Sequence, residues 1–341
     1  MIIMQDLITI INNQREVKMM SKKKIIKGIL IGVPVLLVLG ITLIVVSSYV
    51  EHRRLVEQEK AQYPAPGNLV DVNNDGNKLH VYTEGEGDET LVFMSGLGTS
   101  SPVYDFQVLY NQLSTDYRIA VVERAGYGWS DITTSPRDID TVLEETRTAL
   151  QLSGESPPYI LYPHSLSGLE AIYWANLHPE EIKAIVGLDS LVPEYYEQTK
   201  EEPSLSRVIG FMTRSGLVRN QPEVFDNSFP AMEKGHLTEE EAKVARTIFY
   251  RRVQTENMWE ESDMLLTNSK KVAGQGKPDV PFYIFISEEN EDAYWKKSLV
   301  SYAETTGGEH FILDGGHYIH LDRPEFIAEK SREIIKKINE N

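Results

Sequence analysis

The feature that most constrains the fold is a short strand-like segment that turns into a helix-like segment at a serine. Residues 159–162 are apolar or aromatic and predict a buried strand, and residues 169–177 carry apolar side chains at helical spacing. Ser165 lies at the turn between them. This pattern is typical of a nucleophile elbow, which lifts the serine hydroxyl clear of the sheet edge and aims helix N–H groups at the site of an oxyanion.

The turn departs from the G-x-S-x-G pattern, because Pro163 and Ser167 occupy the two glycine positions. These residues nearly touch across the turn, so both must be compact. Serine is compact, and proline is acceptable where a strand ends because it removes only a ladder donor. If Ser167 were the nucleophile, Leu169 would occupy the crowded position, so Ser165 is the predicted nucleophile. The alternative is a serine-rich turn without chemistry.

Length, charge and cysteine content narrow the class of protein. A chain of 341 residues can hold one large α/β domain with additions. The formal net charge of −17 disfavours nucleic acid as a partner. The chain has no cysteine, which rules out disulfides, thiolate nucleophiles and cysteine-ligated zinc.

The N-terminal region combines a basic cluster with an uncharged run. Basic residues in the first segment are Arg15, Lys18, Lys22, Lys23, Lys24 and Lys27. Residues 28–50 contain no charged side chain and are long enough to cross about 30 Å of hydrocarbon. This run predicts a transmembrane helix over 28–50, and the positive-inside rule then predicts that residues 1–27 are cytoplasmic and that the globular domain is outside the cell. Residues 51–66 are charged and then contain proline, which predicts a stalk.

Two other interpretations of this region stay open. A cleaved signal peptide would have a shorter apolar run and a clear small-residue cleavage site, for which residues 46–48 are a weak candidate. A buried core helix is rarely so uniformly apolar beside a lysine cluster. The start of translation also stays open between Met1 and either Met19 or Met20, which precede that cluster.

Strand and helix patterns alternate along the rest of the chain. An N-terminal hairpin is predicted over 69–82, with a glycine-containing turn. An amphipathic helix is predicted over 139–152. Further strands are predicted at 91–94, 117–122, 159–162, 182–188, 282–286 and 309–313. This alternation predicts a mostly parallel α/β sheet.

Three segments together resemble the α/β-hydrolase family: His-Ser-Leu-Ser-Gly at 164–168, Arg-Ala-Gly-Tyr-Gly-Trp-Ser-Asp at 124–131, and the Gly-Gly-His segment at 315–325. The resemblance implies an α/β-hydrolase fold, with a doubly wound sheet formed by 67–191 and 277–341. It also implies a helical cap inserted after strand 6, at 192–276. In this family the oxyanion donors are backbone N–H groups, which fall here on Leu97 and Leu166.

A serine nucleophile needs a histidine base, and His317 fits. It follows the predicted strand at 309–313 in a glycine-rich turn, which places it at the same C-terminal sheet edge as Ser165. His164 is expected to orient the loop, and His320 to cap or pack locally. Arg124 is expected to fix a tight turn.

The acid that would orient His317 has two possible sources. The usual family position after strand 7 falls on Asn290, which cannot stabilise an imidazolium, although neighbouring carboxylates could replace it. Those neighbours are Glu288, Glu289, Glu291 and Asp292. The other source is the end of strand 6, where the segment 187–193 resembles the acid-bearing segment of pancreatic-type lipases. Asp189 is therefore the predicted acid, with Glu289 next.

The combined prediction is a membrane-anchored serine hydrolase that acts on an ester or amide with an apolar acyl or alkyl part. Serine at the elbow disfavours haloalkane dehalogenases and epoxide hydrolases, whose family nucleophile is aspartate. No metal or organic cofactor is implied. The alternative is a tethered, non-catalytic α/β-hydrolase-like domain that binds a ligand or partner.

Overall fold

The computed structural model describes residues 2–199 and 205–340, and the chain forms two compact units, Met1–Arg54 and Leu55–Asn341. The first unit is helical, as part of helix α1, Ile2–Gln62. Most apolar side chains of residues 28–50 are exposed, with Leu36 and Leu43 each 69% accessible. By length and composition this helix is able to cross a membrane, and its most apolar stretch is not buried at all.

The segment predicted as a stalk is helical as far as Gln62. Residues from Leu55 onward belong to the second unit. Within that unit, Arg219 donates two hydrogen bonds to the carboxylate of Glu59, at 2.6 and 2.7 Å. Trp129 Nε1 donates to the carbonyl of Tyr63 at 3.3 Å. The C-terminal part of the predicted stalk therefore packs onto the globular unit.

An eight-stranded sheet organises the second unit, in the order β1-β2-β4-β3-β5-β6-β7-β8. The strands are β1 Asn68–Asp71, β2 Lys78–Glu84, β3 Thr90–Met94, β4 Arg118–Glu123, β5 Tyr159–Pro163, β6 Ile182–Leu188, β7 Phe282–Ser287 and β8 His310–Leu313. Strands β1 and β2 form the predicted antiparallel hairpin, and β2 also pairs antiparallel with β4. The pairings from β4 through β8 are all parallel, which confirms the predicted sheet.

Helices cover both faces of the sheet. The core helices are α2 Pro102–Leu113, α3 Ile139–Leu152, α4 Ser167–Leu177, α11 Ala293–Thr305, α12 Ile319–Asp322 and α13 Pro324–Glu340. Buried residues of α3, α4 and α11 form one hydrophobic cluster with the sheet, and those of α2, α12 and α13 form the other. Burial on both faces explains why β5 is a continuous apolar run, as is typical of parallel sheets.

A helical segment lies between β6 and β7, where the cap is predicted. Its helices are α5 Pro193–Thr199, α6 Arg207–Arg214, α7 Pro222–Ser228, α8 Pro230–Glu233, α9 Glu239–Arg252 and α10 Glu256–Ala273. A capping box of Thr238 and Glu241 begins α9. Phe225, Phe229 and Phe249 are almost fully buried in a hydrophobic cluster that the cap forms together with Leu321 of α12. The expected helical insertion after strand 6 is thus present.

Candidate active site

Ser165 lies two residues beyond β5, on a sharp turn into α4. Its φ of +53° is in the left-handed region, which a non-glycine residue adopts only where the surrounding structure enforces it. Its carbonyl accepts hydrogen bonds from Leu191 N at 2.7 Å and from Gly168 N at 3.0 Å. The side chain is half-buried. This is the strained strand-to-helix geometry that the sequence predicts for an elbow.

The two departures from the glycine pattern fit this turn. Pro163 is the last residue of β5 and pairs with Met94 of β3, so the strand ends where proline removes a donor. Ser167 is buried, and its Oγ donates to the carbonyls of Met94 at 2.7 Å and His164 at 2.9 Å. The hydroxyl of Ser167 therefore holds the turn together, which leaves Ser165 as the serine at its apex.

The predicted oxyanion donors, Leu97 and Leu166, flank this serine. Leu166 follows Ser165 directly and is the N-cap residue of α4. Leu97 follows Gly96, where an added Cβ would lie only 2.8 Å from the Cβ of Ser165, so this loop contacts the elbow directly. Among the residues that the structure describes, neither N–H donates a hydrogen bond to another protein group. Both N–H groups are therefore available to donate to a ligand oxygen.

His317 and Asp189 are brought together at the same sheet edge. His317 Nδ1 lies 2.7 Å from Asp189 Oδ2. A carboxylate facing Nδ1 favours the tautomer that carries its hydrogen there, which leaves Nε2 as the basic nitrogen. Asp189 is fully buried, whereas the His317 side chain is 38% exposed. The pair thus has the arrangement of a base and its orienting acid.

Asp189 is held by two further donors that the sequence did not reveal. Its Oδ1 accepts from the backbone N–H of Ser287 at 3.1 Å and from Trp295 Nε1 at 3.0 Å. The residue has a φ of +45°, a second strained position at the sheet edge. Three donors fix both oxygens of the carboxylate. No local pattern marks Trp295, because its partner lies 106 positions earlier in the chain.

The alternative carboxylates after β7 are engaged elsewhere or exposed. Asp292 caps α11, accepting from Tyr294 N at 2.8 Å, and also accepts from the hydroxyl of Tyr195 at 2.8 Å. The remaining three, Glu288, Glu289 and Glu291, are exposed. Within the described part of the chain, none of the four bonds to His317. The structure therefore brings Asp189, and not these carboxylates, to the histidine.

A cluster of histidine rings lies behind the site. The His164 ring lies 4.7 Å from that of His317 and 4.9 Å from that of His320. His164 Nε2 lies 3.1 Å from the His317 carbonyl, which can only accept, so Nε2 carries the hydrogen. Burial, followed by the neighbouring histidine charges, lowers the pKa of His164 well below its ordinary value. His164 is therefore a neutral donor that supports the His317 loop, as expected.

His320 is fully buried and packs against nearby Tyr318, as expected, but its polar partner lies far away in the chain. Its Nε2 lies 3.3 Å from Asp105 Oδ2, and the Asp105 side chain is also fully buried. The ring of Phe106 packs against it with 5.0 Å between centroids. His320 thus connects α12 to the start of α2.

A cavity of about 210 Å³ lies beside the site. Gly98, directly after Leu97, and Tyr318, directly after His317, form its core side. On the cap side its lining includes Ile209, Val224, Phe229, Phe249 and Val253. The lining mixes these apolar side chains with polar ones such as Thr99 and Gln254, which is the usual composition of a small-molecule site.

One group of side chains has the spacing of a metal site. Single ligand atoms of His178, Glu180 and Glu181 lie within 4.8 Å of one another. Glu181, however, already accepts from Arg147 at 2.6 and 2.9 Å and from Trp174 Nε1 at 2.6 Å. These bonds account for the position of Glu181, which forms a structural ion pair with Arg147.

Comparison with known proteins identifies the protein family to which this chain belongs. A family model described as alpha/beta hydrolase fold matches residues 89–324, and the chain belongs to this family. The uncharacterized protein YbdG of Bacillus subtilis is 37% identical over 309 residues, which cover 87% of this chain and 94% of YbdG. The family supports a hydrolase activity.

Solved structures share the fold at low identity. Cfl2 from Burkholderia cenocepacia is 20% identical with a TM-score of 0.61, over 78% of this chain and 94% of Cfl2. The epoxide hydrolase VrEH1 from Vigna radiata is 20% identical with a TM-score of 0.58, over 79% of this chain and 97% of that enzyme. At such identity these similarities establish the fold alone.

Proposed function

We propose that this protein is a membrane-anchored serine hydrolase that cleaves a carboxylic ester, or an amide, through an acyl-enzyme intermediate. The observation that carries the proposal is the His317–Asp189 pair, 2.7 Å between Nδ1 and Oδ2, at the sheet edge that carries the elbow serine Ser165. Serine at that position favours acyl transfer over the aspartate chemistry of the epoxide hydrolases that share the fold.

The proposed reaction uses each residue in one role. Ser165 Oγ attacks the substrate carbonyl carbon while His317 Nε2 takes its proton, and Asp189 stabilises the resulting imidazolium. The carbonyl oxygen becomes an oxyanion that accepts from the N–H groups of Leu97 and Leu166. Removing one such donor typically costs about 3–4 kcal/mol of transition-state stabilisation.

Collapse of this intermediate breaks the bond to the leaving alcohol or amine, which receives the proton from His317. Water then attacks the acyl-enzyme with His317 again as the base, and the carboxylic acid leaves as Ser165 regains its proton. The chemistry needs no metal or organic cofactor. The cavity of about 210 Å³ under the cap favours a substrate with a compact apolar acyl or alkyl part.

Labelling with a fluorophosphonate probe, together with hydrolysis of p-nitrophenyl esters of increasing chain length, tests the proposal. We expect labelling and hydrolysis by the wild type and their loss in Ser165→Ala. Ser114→Ala is the matched control, since it removes a hydroxyl at the end of α2 that bonds only to the carbonyl of Asn111, and it should still be labelled. Retention of a tenth of the activity in Ser165→Ala would refute the assignment of the nucleophile. A folded wild type that is neither labelled nor active would support the non-catalytic alternative.

A further inference from the structure

Arg124 is a buried side chain that bonds the core loop and the cap at once. It follows β4 and is 5% exposed. Its Nη1 donates to the carbonyl of Ser95 at 2.8 Å, at the start of the loop that carries Leu97. Its Nε and Nη2 each lie 3.2 Å from a carboxylate oxygen of Glu261 on cap helix α10. One guanidinium therefore joins the cap to the oxyanion loop.

The charges around this guanidinium hold it in place. Tyr127 OH donates to Glu261 Oε2 at 2.6 Å and accepts from Arg124 Nη2 at 3.2 Å. Glu170, in the first turn of α4, lies 3.6 Å from Arg124 Nη1. Burial raises the pKa of Glu170 to about 7. Since Glu261 provides the bidentate contact, the cap supplies the principal counter-charge of Arg124.

The carbonyl of Ser95 is well placed to control the oxyanion donor. The peptide that it belongs to ends at Gly96, and the next peptide carries the Leu97 N–H. A Cβ added to Gly96 would lie 2.8 Å from Ser165 Cβ and 3.0 Å from His164 Nδ1. The loop is thus pressed against the elbow on one side and held by Arg124 on the other.

We propose that Arg124 is a positioning residue that makes the orientation of the Leu97 N–H depend on the seating of the cap. Glu261 orients the guanidinium, the guanidinium holds the Ser95 carbonyl, and the loop presents its donor to the oxyanion. This inference rests on the proposed serine hydrolase function. It goes beyond the tight-turn role expected from the sequence, because it links the cap that binds substrate to the donor that stabilises the transition state.

Arg124→Lys tests the link directly. Lysine keeps the charge but lacks the planar fork, so it cannot bond Ser95 and both oxygens of Glu261 together. We expect kcat for p-nitrophenyl butyrate to fall about 10- to 100-fold, approaching the loss of an oxyanion donor, with KM within about twofold. Affinity for an alkyl trifluoromethyl ketone, whose adduct with Ser165 carries an oxyanion, should fall by the same factor as kcat/KM.

A double variant separates positioning from stability. Arg124→Met with Glu261→Met removes the guanidinium and its bidentate partner, and such apolar replacement is often neutral for stability. Glu170, 3.6 Å from Arg124 Nη1 in the wild type, is retained. We expect the melting temperature to lie closer to wild type than that of Glu261→Met alone, while kcat stays low.

Arg252→Met is the matched control. Arg252 on α9 is also buried and connects the cap to the core, donating to the carbonyls of Gly128 at 2.9 Å and Ser130 at 2.6 Å. Among the described residues, none of its hydrogen bonds is to the loop that carries Leu97. We expect a loss of stability in this variant with kcat within about threefold of wild type.

These measurements distinguish a positioning role of Arg124 from a purely structural role. Wild-type kcat in Arg124→Lys, or recovery of kcat together with stability in the double variant, would overturn the inference and leave the proposed function intact. A folded wild type with neither hydrolysis nor fluorophosphonate labelling would overturn both.

Discussion

His317 Nδ1 lies 2.7 Å from Asp189 Oδ2, although 128 positions separate the two residues in the chain. The parallel sheet explains the contact, because β6 and β8 end at the same edge with only β7 between them. At the end of β7, Ser287 donates its N–H to Asp189. The strand after which the family's acid usually lies thus helps to hold the carboxylate that follows β6, which is the acid that we propose.

Asp189→Asn should be nearly inactive. The amide cannot stabilise the imidazolium and favours the wrong tautomer of His317, so we expect kcat to fall about 10⁴-fold. Glu289→Gln is the matched control, since it makes the same change of carboxylate to amide at an exposed position, and it should keep wild-type kcat. Steady-state kinetics on p-nitrophenyl esters measures both. The opposite pattern would return the acid to strand 7 and leave Asp189 structural.

Trp295→Phe should weaken the support of the Asp189 carboxylate. Phenylalanine retains most of the ring but removes the Nε1–H bond to Oδ1, a bond to a charged group worth about 1.5–3 kcal/mol. We expect the free energy of unfolding to fall by about that amount and kcat to fall several-fold. Trp259→Phe is the control, because Trp259 Nε1 is buried without a partner among the described residues. Equal losses in the two variants would contradict a specific role for Trp295.

The sequence predicts secondary structure most accurately in segments where the local pattern and the global fold agree. The helix expected over 139–152 is α3, Ile139–Leu152, whose N-cap Asp138 accepts from Thr141 N. The elbow strand and the serine turn also lie where expected. In these segments hydrophobic spacing and turn chemistry act over a few neighbouring residues, which a single sequence reveals.

Contacts between distant segments were not predictable in this way. Nothing near Arg124 indicates that its carboxylate partner is Glu261, 137 positions later on the cap. The continuation of helix α1 to Gln62, by contrast, is indicated by the local sequence, although these residues were predicted to be a stalk. Residues 51–62 are rich in strong helix formers, and Glu51–Arg54 and Glu57–Lys60 form i,i+3 ion pairs.

The anchor proposal predicts that the globular domain is outside the cell. Protease added to intact cells should digest the region from about Gly67 onward, while a cytoplasmic marker protein stays intact. Replacing Lys22, Lys23, Lys24 and Lys27 with glutamate weakens the charge bias that keeps the N-terminus inside, so a protected fraction should appear. Complete protection of the wild-type domain until lysis would contradict the proposed topology.

Glu170 should make the free energy of unfolding decrease as pH rises. This is opposite to the effect of a carboxyl whose pKa is lowered in the folded state. Burial raises its pKa from 4.5 to about 7, so the folded state keeps a proton that the unfolded state releases. Stability is therefore lost as pH rises between these values, by about 3 kcal/mol in total. Glu170→Gln removes this dependence while its amide oxygen can still accept from Thr146, which donates to Glu170 Oε1 at 2.6 Å.

Chemical denaturation at several pH values measures the effect. Relative to wild type, the unfolding free energy of Glu170→Gln should rise steadily from pH 4.5 to pH 7 and then level off. Glu181→Gln is the control of opposite sign, because the hydrogen bond from Arg147 lowers the pKa of Glu181. Its deficit should be largest at neutral pH and should shrink as pH falls through that lowered pKa, since wild type then loses the same bond to a charged group. A flat difference curve for Glu170→Gln would mean that Glu170 is ionised in the folded protein throughout, with Arg124 fully compensating its burial.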